Sequence, residues 1–120
     1  MQVSLSKSFR FEAAHWLPTF PEGHKCRRLH GHSFHVEVVV EGEVPEETGV
    51  LMDFGTIKAA IRPIEDALDH RCLNDIEGLE NPTSEMLAKW IWDRLVGELP
   101  LLHEIKVRET CTSSCRYRGT

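Results

Sequence analysis

The segment from Gly23 to Phe34 concentrates the side chains best suited to binding a metal ion. It reads Gly-His-Lys-Cys-Arg-Arg-Leu-His-Gly-His-Ser-Phe, with three histidines and one cysteine within positions 24–32. Beyond it, apolar residues occupy the even positions, as on the buried face of a strand: Phe34, Val36, Val38 and Val40. The same alternation, extended backwards, places His30 and His32 on that face. Side chains two residues apart on a strand lie about 7 Å apart on the same face, so these imidazoles can converge on one ion.

The N-terminal segment offers a third histidine. From Phe9 onward the odd positions are apolar, and this face ends on His15. If the two strands pair as a hairpin, with residues 18–29 as the connection, His15 lies opposite His30 and His32. Three imidazoles with an open fourth position are typical of catalytic zinc, whereas structural zinc sites are closed by four protein ligands. The alternative is that these are core histidines whose ring nitrogens are hydrogen-bonded within the protein and bind no metal.

Cys26 lies among three basic residues, Lys25, Arg27 and Arg28. Positive charge and a nearby Zn²⁺ favour the thiolate, which is the reactive form of cysteine. The basic residues themselves form either a solvated loop or a site for an anionic substrate. The remaining cysteines lack the paired Cys-x-x-Cys spacing of zinc-binding motifs. We interpret all three as structural thiols: Cys72, Cys111 and Cys115.

The composition limits the class of protein. With 120 residues, 41% of them apolar and 28% charged, the sequence predicts one soluble domain over residues 1–120. A net charge of −5 argues against nucleic acid as a partner. No apolar run approaches the roughly 20 residues of a membrane span, and the N-terminus lacks the layout of a signal peptide. We therefore expect a cytoplasmic protein without a membrane partner.

Two helices are predicted in the middle of the chain. Asp53 is a suitable N-cap for the first, whose apolar residues recur at helical spacing: Ile57, Ala60, Ile61, Ile64 and Leu68. Pro63 falls inside this pattern and predicts a kink or local break. A loop over 69–80 follows. Residues 81–85 then begin a second helix, which Pro100 ends. Its apolar, core-facing residues are Leu87, Trp90, Ile91 and Leu95.

Two further strands are predicted near the C-terminus, over 105–109 and 115–118. The element order is then ββααββ, which indicates an α+β fold: a four-stranded antiparallel sheet with two helices on one face. Such a sheet leaves two open edges, and long unpaired edges are rare in natural proteins. Self-association through the sheet is therefore expected.

Two polar sites interrupt these patterns. Asp69-His70 directly follows the first helix, where a histidine can interact with the helix dipole or be oriented by the carboxylate for proton transfer. Glu109 shares the parity of the apolar positions of the third strand. A buried carboxylate is costly unless it is paired, so Glu109 indicates either a bulge or a register change, or a cationic or N–H-rich ligand.

Five ordered segments resemble the family of 6-pyruvoyltetrahydropterin synthases, and within it the carboxy-forming bacterial branch. They are Phe11-Glu12-Ala13-Ala14-His15, Cys26-Arg27-Arg28-Leu29-His30-Gly31-His32, Leu68-Asp69-His70, Asn81-Pro82-Thr83-Ser84-Glu85 and Glu109-Thr110-Cys111. The resemblance covers nearly the whole chain. The branch is indicated by the short spacing of three residues between the cysteine and His-Gly-His.

The resemblance implies a role for each matching residue. It implies that His15, His30 and His32 hold Zn²⁺ and that Cys26 is the proton-abstracting thiolate. Asp69 and His70 would complete a relay with Cys26 across a subunit boundary. Glu109 would anchor the guanidine-like edge of a pterin, and Thr83 and Ser84 would help to hold the ring. Lys25, Arg27 and Arg28 are a separate hypothesis for the triphosphate, which the resemblance does not supply.

The resemblance also implies an assembly and a reaction. The fold would be the tunnelling fold, in which the sheets of several subunits close into a barrel, usually as a homohexamer built as a dimer of trimers. The substrate would be 7,8-dihydroneopterin triphosphate. The carboxy-forming branch loses triphosphate and acetaldehyde from it and leaves 6-carboxy-5,6,7,8-tetrahydropterin for the queuosine (7-deazaguanine) pathway.

Three alternatives remain open from the sequence. A 6-pyruvoyltetrahydropterin synthase would eliminate triphosphate from the same site without cleaving a carbon–carbon bond. A non-catalytic, zinc-stabilised binding module would use Cys26 as a fourth ligand and unfold without zinc. A zinc hydrolase would require neither Cys26 nor Glu109.

Overall fold

A long antiparallel hairpin forms the centre of the sheet. In the computed structural model, which describes residues 1–120, β1 (Gln2–His15) and β2 (His30–Glu43) pair from Gln2–Glu43 to His15–His30. The predicted alternation is confirmed, because the odd positions of β1 from Phe9 and the even positions of β2 from Phe34 to Val40 are buried. The register also places His15 opposite His30 and Ala13 opposite His32.

The sheet has five strands rather than the four predicted. Its order is β3-β1-β2-β4-β5, with β3 at Arg71–Cys72, β4 at Leu102–Arg108 and β5 at Cys115–Tyr117. The extra strand, β3, lies in the predicted loop and runs parallel to β1, so the sheet is mostly rather than wholly antiparallel. Two residues are too few to show an alternation, and only pairing with Ala13 and Ala14 makes them a strand.

The two helices begin where the sequence predicts. Helix α1 (Phe54–Leu68) is capped by Asp53, whose Oδ1 accepts the backbone N–H of Gly55 at 2.8 Å. It runs unbroken through Pro63, so the predicted local break is wrong. The prolyl ring deprives the carbonyl four residues earlier of its partner, but Pro63 and Ala59 are both exposed, and water can satisfy that carbonyl.

Helix α2 (Ser84–Leu95) is shorter than predicted. Thr83 caps it by accepting the N–H of Met86 at 3.1 Å. It ends at Leu95, ahead of Pro100, because the chain turns there and the N–H groups of Glu98 and Leu99 both bond to the Leu95 carbonyl.

Both helices pack on one face of the sheet and enclose a single apolar core. The core combines the inward faces of β1, β2 and β4 with the predicted stripes of α1 and α2. The predicted α+β class, with two helices on one face of the sheet, is confirmed. Neither helix has the length and apolar character that crossing a membrane requires.

Candidate active site

Three histidines meet at the closed end of the hairpin. His15 ends β1, and His30 and His32 begin β2, so the strand register brings them together. One ring nitrogen of each lies within 4.8 Å of the others, and their ring centroids are 4.6 to 5.1 Å apart. The predicted convergence is therefore present, and the set could hold a metal ion.

Backbone carbonyls orient two of these rings. The Nδ1–H of His15 donates to the Pro82 carbonyl at 2.9 Å, and that of His30 donates to the Arg28 carbonyl at 2.6 Å. A carbonyl can only accept, so each ring carries its proton on Nδ1 and presents a lone pair on Nε2. Hydrogen bonding of the second nitrogen in this way is typical of metal-binding histidines.

His15 fits a metal better than it fits the core. It is fully buried, yet its Nε2 has no hydrogen-bond partner, and an unpaired buried polar atom is costly. Burial lowers the pKa of His15 below its ordinary value and outweighs the opposing hydrogen bond to Pro82. The imidazole is thus kept neutral, which is the form that binds a metal. A buried neutral ring with an unpaired nitrogen is suited to binding a metal ion.

Glu109 lies beside this cluster and connects it to α2. It follows the last residue of β4, and its Oε2 is 3.8 Å from Nε2 of His32. Its Oε1 accepts the hydroxyl of Ser84 at 3.0 Å. The side chain is half-buried rather than buried, since the strand ends before it, so the predicted buried strand position is wrong.

An open cavity of about 350 Å³ adjoins Glu109. Ser84 and Glu109 line it together with residues that the sequence did not single out as site residues: Glu85, Val107, Ser113, Ser114 and Cys115. Thr83, the residue before Ser84, is the N-cap of α2, and its hydroxyl oxygen accepts the N–H of Met86. The sequence places Glu85 at the start of the helix, but only the packing of α2 on β4 brings it to the cavity that Glu109 also lines.

Cys26 is presented by the loop between β1 and β2. It lies in a short 3₁₀ turn, Lys25–Arg27, where its N–H donates to Nδ1 of His24 at 3.1 Å. Its thiol is half-buried and lies outside the group of histidines that could share an ion. This geometry counts against Cys26 as a fourth ligand, which the binding-module alternative required.

The basic residues around Cys26 are exposed. Arg27 donates from Nη1 to the Phe20 carbonyl at 2.9 Å and so helps to hold the loop. Neither Lys25 nor Arg28 forms an ion pair within the chain. They are free to meet an anionic ligand.

Asp69 and His70 form a pair at the edge of the sheet. Asp69 ends α1, and its Oδ1 lies 3.0 Å both from the Glu12 N–H and from Nδ1 of His70. The Glu12 N–H and then His70 lower the pKa of the Asp69 carboxyl. His70 adopts a φ of 58° and donates its own N–H to the Glu12 carbonyl. The Asp69 carboxylate thus contacts the His70 imidazole and can orient it, and no hydrogen bond joins His70 to Cys26 within the chain.

The structure thus divides the predicted residues into three groups. The histidine cluster, Glu109 and Ser84 are in direct or near contact. His70 shares an open groove of about 610 Å³ with His32, on the edge where β3 joins β1. Cys26 is tied to the cluster by a backbone hydrogen bond. Its carbonyl accepts the N–H of Leu17, two residues after His15, at 2.9 Å.

This arrangement can be compared with known proteins. The model of the family described as 6-pyruvoyl tetrahydropterin synthase matches residues 4–120. The chain belongs to the 6-pyruvoyl tetrahydropterin synthase family. The family and the enzyme class predicted from the sequence are thereby confirmed.

Other members of the family carry different reaction names. The chain is 51% identical over 117 residues to the 6-carboxy-5,6,7,8-tetrahydropterin synthase of Synechocystis sp., covering 92% of this chain and 89% of that protein. It is 42% identical over 90 residues to the dihydroneopterin monophosphate aldolase of Pyrococcus furiosus, covering 75% and 72%. The solved 6-pyruvoyl tetrahydropterin synthase of Caenorhabditis elegans matches with a TM-score of 0.91 at 26% identity, over 100% of this chain and 97% of that chain.

Proposed function

We propose that this chain converts 7,8-dihydroneopterin triphosphate and one molecule of water into 6-carboxy-5,6,7,8-tetrahydropterin, acetaldehyde and triphosphate. It would act as a zinc-dependent lyase in queuosine (7-deazaguanine) biosynthesis, through one domain over residues 1–120. The observation that carries the proposal is the cluster of three histidines, His15, His30 and His32, beside the half-buried carboxylate of Glu109. The identity of 51% to a relative of that name supports the carboxy-forming outcome.

The metal in this proposal is zinc. Neutral imidazoles with their second nitrogen on a backbone carbonyl suit it. When bound by His15, His30 and His32, zinc would supply Lewis acidity to the side-chain hydroxyls of the substrate. The chain provides no fourth ligand within the cluster, which leaves room for the substrate.

Glu109 would recognise the pterin. An ionised carboxylate accepts up to about four hydrogen bonds, and Ser84 uses one of these positions. The remaining positions can accept two parallel N–H groups from the guanidine-like edge of the ring, which is the strong bidentate arrangement. The Thr83 hydroxyl accepts from Met86 and retains its own proton to donate.

Cys26 would remove the proton from the activated carbon of the substrate, and Asp69 and His70 would assist. Because Asp69 holds Nδ1 of His70, the other ring nitrogen, Nε2, is the atom that can accept or return a proton. His70 is mostly exposed and is not bonded to Cys26 of its own chain. We propose that it serves the Cys26 of a neighbouring subunit.

The sheet edges support such an assembly. Strand β1 is paired on its outer side only at Ala13 and Ala14, and β5 has no strand beyond it. Open edges of this length invite pairing with another copy. We propose a homohexamer, a dimer of trimers, whose sheets close into a barrel. A cytoplasmic location and the absence of a nucleic-acid partner stay predictions.

Product analysis tests the proposed reaction. Zinc-loaded protein is incubated with 7,8-dihydroneopterin triphosphate, aldehydes are trapped, and the pterin is identified by mass. We expect 6-carboxytetrahydropterin and acetaldehyde in equal amounts. A pyruvoyl product without acetaldehyde would reassign the chain to 6-pyruvoyltetrahydropterin synthase activity. Turnover of the monophosphate alone would indicate an aldolase, and no turnover of either would return the binding module to consideration.

The triple substitution of Lys25, Arg27 and Arg28 by Ala tests whether these residues bind the triphosphate. We expect KM to rise by about 10- to 100-fold, because two or three charge-assisted contacts to phosphate oxygens are lost. Zinc content should stay at the wild-type level. The matched control is Arg62→Ala, which removes an exposed arginine of α1 paired with Asp66. An unchanged KM in the triple variant would refute this role.

A further inference from the structure

The side-chain amide of Asn74 hydrogen-bonds to both backbone polar groups of Trp16. Its Oδ1 accepts the Trp16 N–H at 3.0 Å, and its Nδ2 donates to the Trp16 carbonyl at 2.7 Å. Trp16 is the residue immediately after His15. A primary amide that satisfies both backbone groups of one residue reproduces the pairing of a β-ladder.

This contact continues the short strand β3 by other means. The parallel pairing of β1 with β3 stops at Ala14–Cys72, where the chain enters a 3₁₀ turn, Leu73–Asp75. The backbone of that turn diverges from a strand path. The Asn74 side chain bridges the gap, so β1 remains fixed on its outer side for two residues longer, past His15.

Trp16 also lies between the two chemical groups of the site. On one side of it is the buried His15, and on the other is Leu17, whose N–H donates to the Cys26 carbonyl at 2.9 Å. The backbone of Trp16 therefore joins the segment that carries His15 to the point where Leu17 holds the cysteine loop. No other side chain in the structure hydrogen-bonds to the backbone of Trp16.

We propose that Asn74 is a positioning residue that fixes the distance between the metal-binding imidazole of His15 and the Cys26 thiol. It acts through the Trp16 backbone and touches neither the metal nor the substrate. The inference rests on the proposed function for its catalytic consequence. Its structural part, the coupling of Asn74 to the Leu17–Cys26 contact, is independent of any reaction.

Amide hydrogen exchange tests the structural part without metal or substrate. Asn74→Ala should accelerate exchange of the Trp16 amide by about tenfold, as expected for one lost hydrogen bond of about 1.4 kcal/mol. The decisive amide is that of Leu17, which Asn74 does not contact and which should accelerate as well. Acceleration confined to Trp16, with Leu17 unchanged, would overturn the proposal.

Zinc affinity and kinetics test the catalytic part. In a chelator competition, Asn74→Ala should weaken zinc binding by about 10- to 100-fold, the range for residues that orient metal ligands. With zinc saturating, kcat should fall by about tenfold or more while KM changes by less than about threefold, because the contacts of Glu109 are untouched. A purely structural role would lower the melting temperature without this separation of kcat from KM.

Two further variants keep the test decisive if Asn74→Ala folds poorly. Asn74→Asp preserves shape and the acceptor for the Trp16 N–H but removes the donor to the Trp16 carbonyl, and it should show the same direction in each measurement. Asp75→Ala removes an exposed side chain of the same turn. That side chain forms no hydrogen bond, so this variant should match the wild type. Wild-type zinc affinity and kcat in both Asn74 variants would overturn the proposal. A wild type that fails to bind zinc would refute the proposed function, and Leu17 exchange would still judge the role of Asn74.

Discussion

Cys26→Ala is expected to lower kcat for 7,8-dihydroneopterin triphosphate by about 10³-fold or more. The thiol is the group proposed to take the substrate proton, and a positioned base contributes about 10² to 10⁴ to a rate. Zinc content should not change, since Cys26 lies outside the histidine cluster. The measurement is steady-state kinetics beside metal analysis of the same preparation.

The control for this variant is Cys111→Ala. Cys111 is an exposed free cysteine, two residues beyond Glu109, and its loss should leave kcat within about twofold of the wild type. Full turnover by Cys26→Ala would contradict the proposed mechanism and favour a zinc hydrolase. Loss of zinc together with activity would instead make Cys26 a metal ligand.

His30→Ala is expected to weaken zinc binding by more than about 100-fold and to abolish turnover. Loss of a group that only hydrogen-bonds to a metal ligand typically costs 10- to 100-fold in affinity, and loss of the ligand itself costs more. His30 is preferable to His15 for this test, because His15 is fully buried and its removal would also leave a cavity. Chelator competition gives the affinity, and product formation gives the activity.

The zinc-free protein should remain folded. The core contains 21 buried apolar residues, and of the three histidines only His15 is fully buried against it, so most of the packing forms without the metal. Circular dichroism of the chelated wild type and of His30→Ala should therefore show a cooperative thermal transition. The control is His35→Ala, an exposed histidine on the other face of β2, which should retain zinc. Unfolding on zinc removal would favour the zinc-stabilised binding module.

The sequence alone determined the hairpin and its histidines. A strand has a side-chain period of two, so the buried face of β2 could be followed back from Phe34 to His32 and His30 without knowing the fold. The same reasoning ended the face of β1 on His15. Both helices followed from capping residues and helical spacing, because these signals are local along the chain.

The tertiary structure decided how those parts combine. Strand β3 became a strand only through β1, and the buried position predicted for Glu109 was wrong because β4 ends one residue earlier. The carbonyl of Pro82, which orients His15 from 67 residues away, carries no signal in the sequence, since every residue has a carbonyl group. The contact of the Asn74 amide with Trp16 is equally invisible in the sequence, because asparagine is common in turns whatever its partner. Side-chain type and spacing identified the reactive groups, but contacts between distant segments set their orientation, and such contacts leave no periodic pattern along the chain.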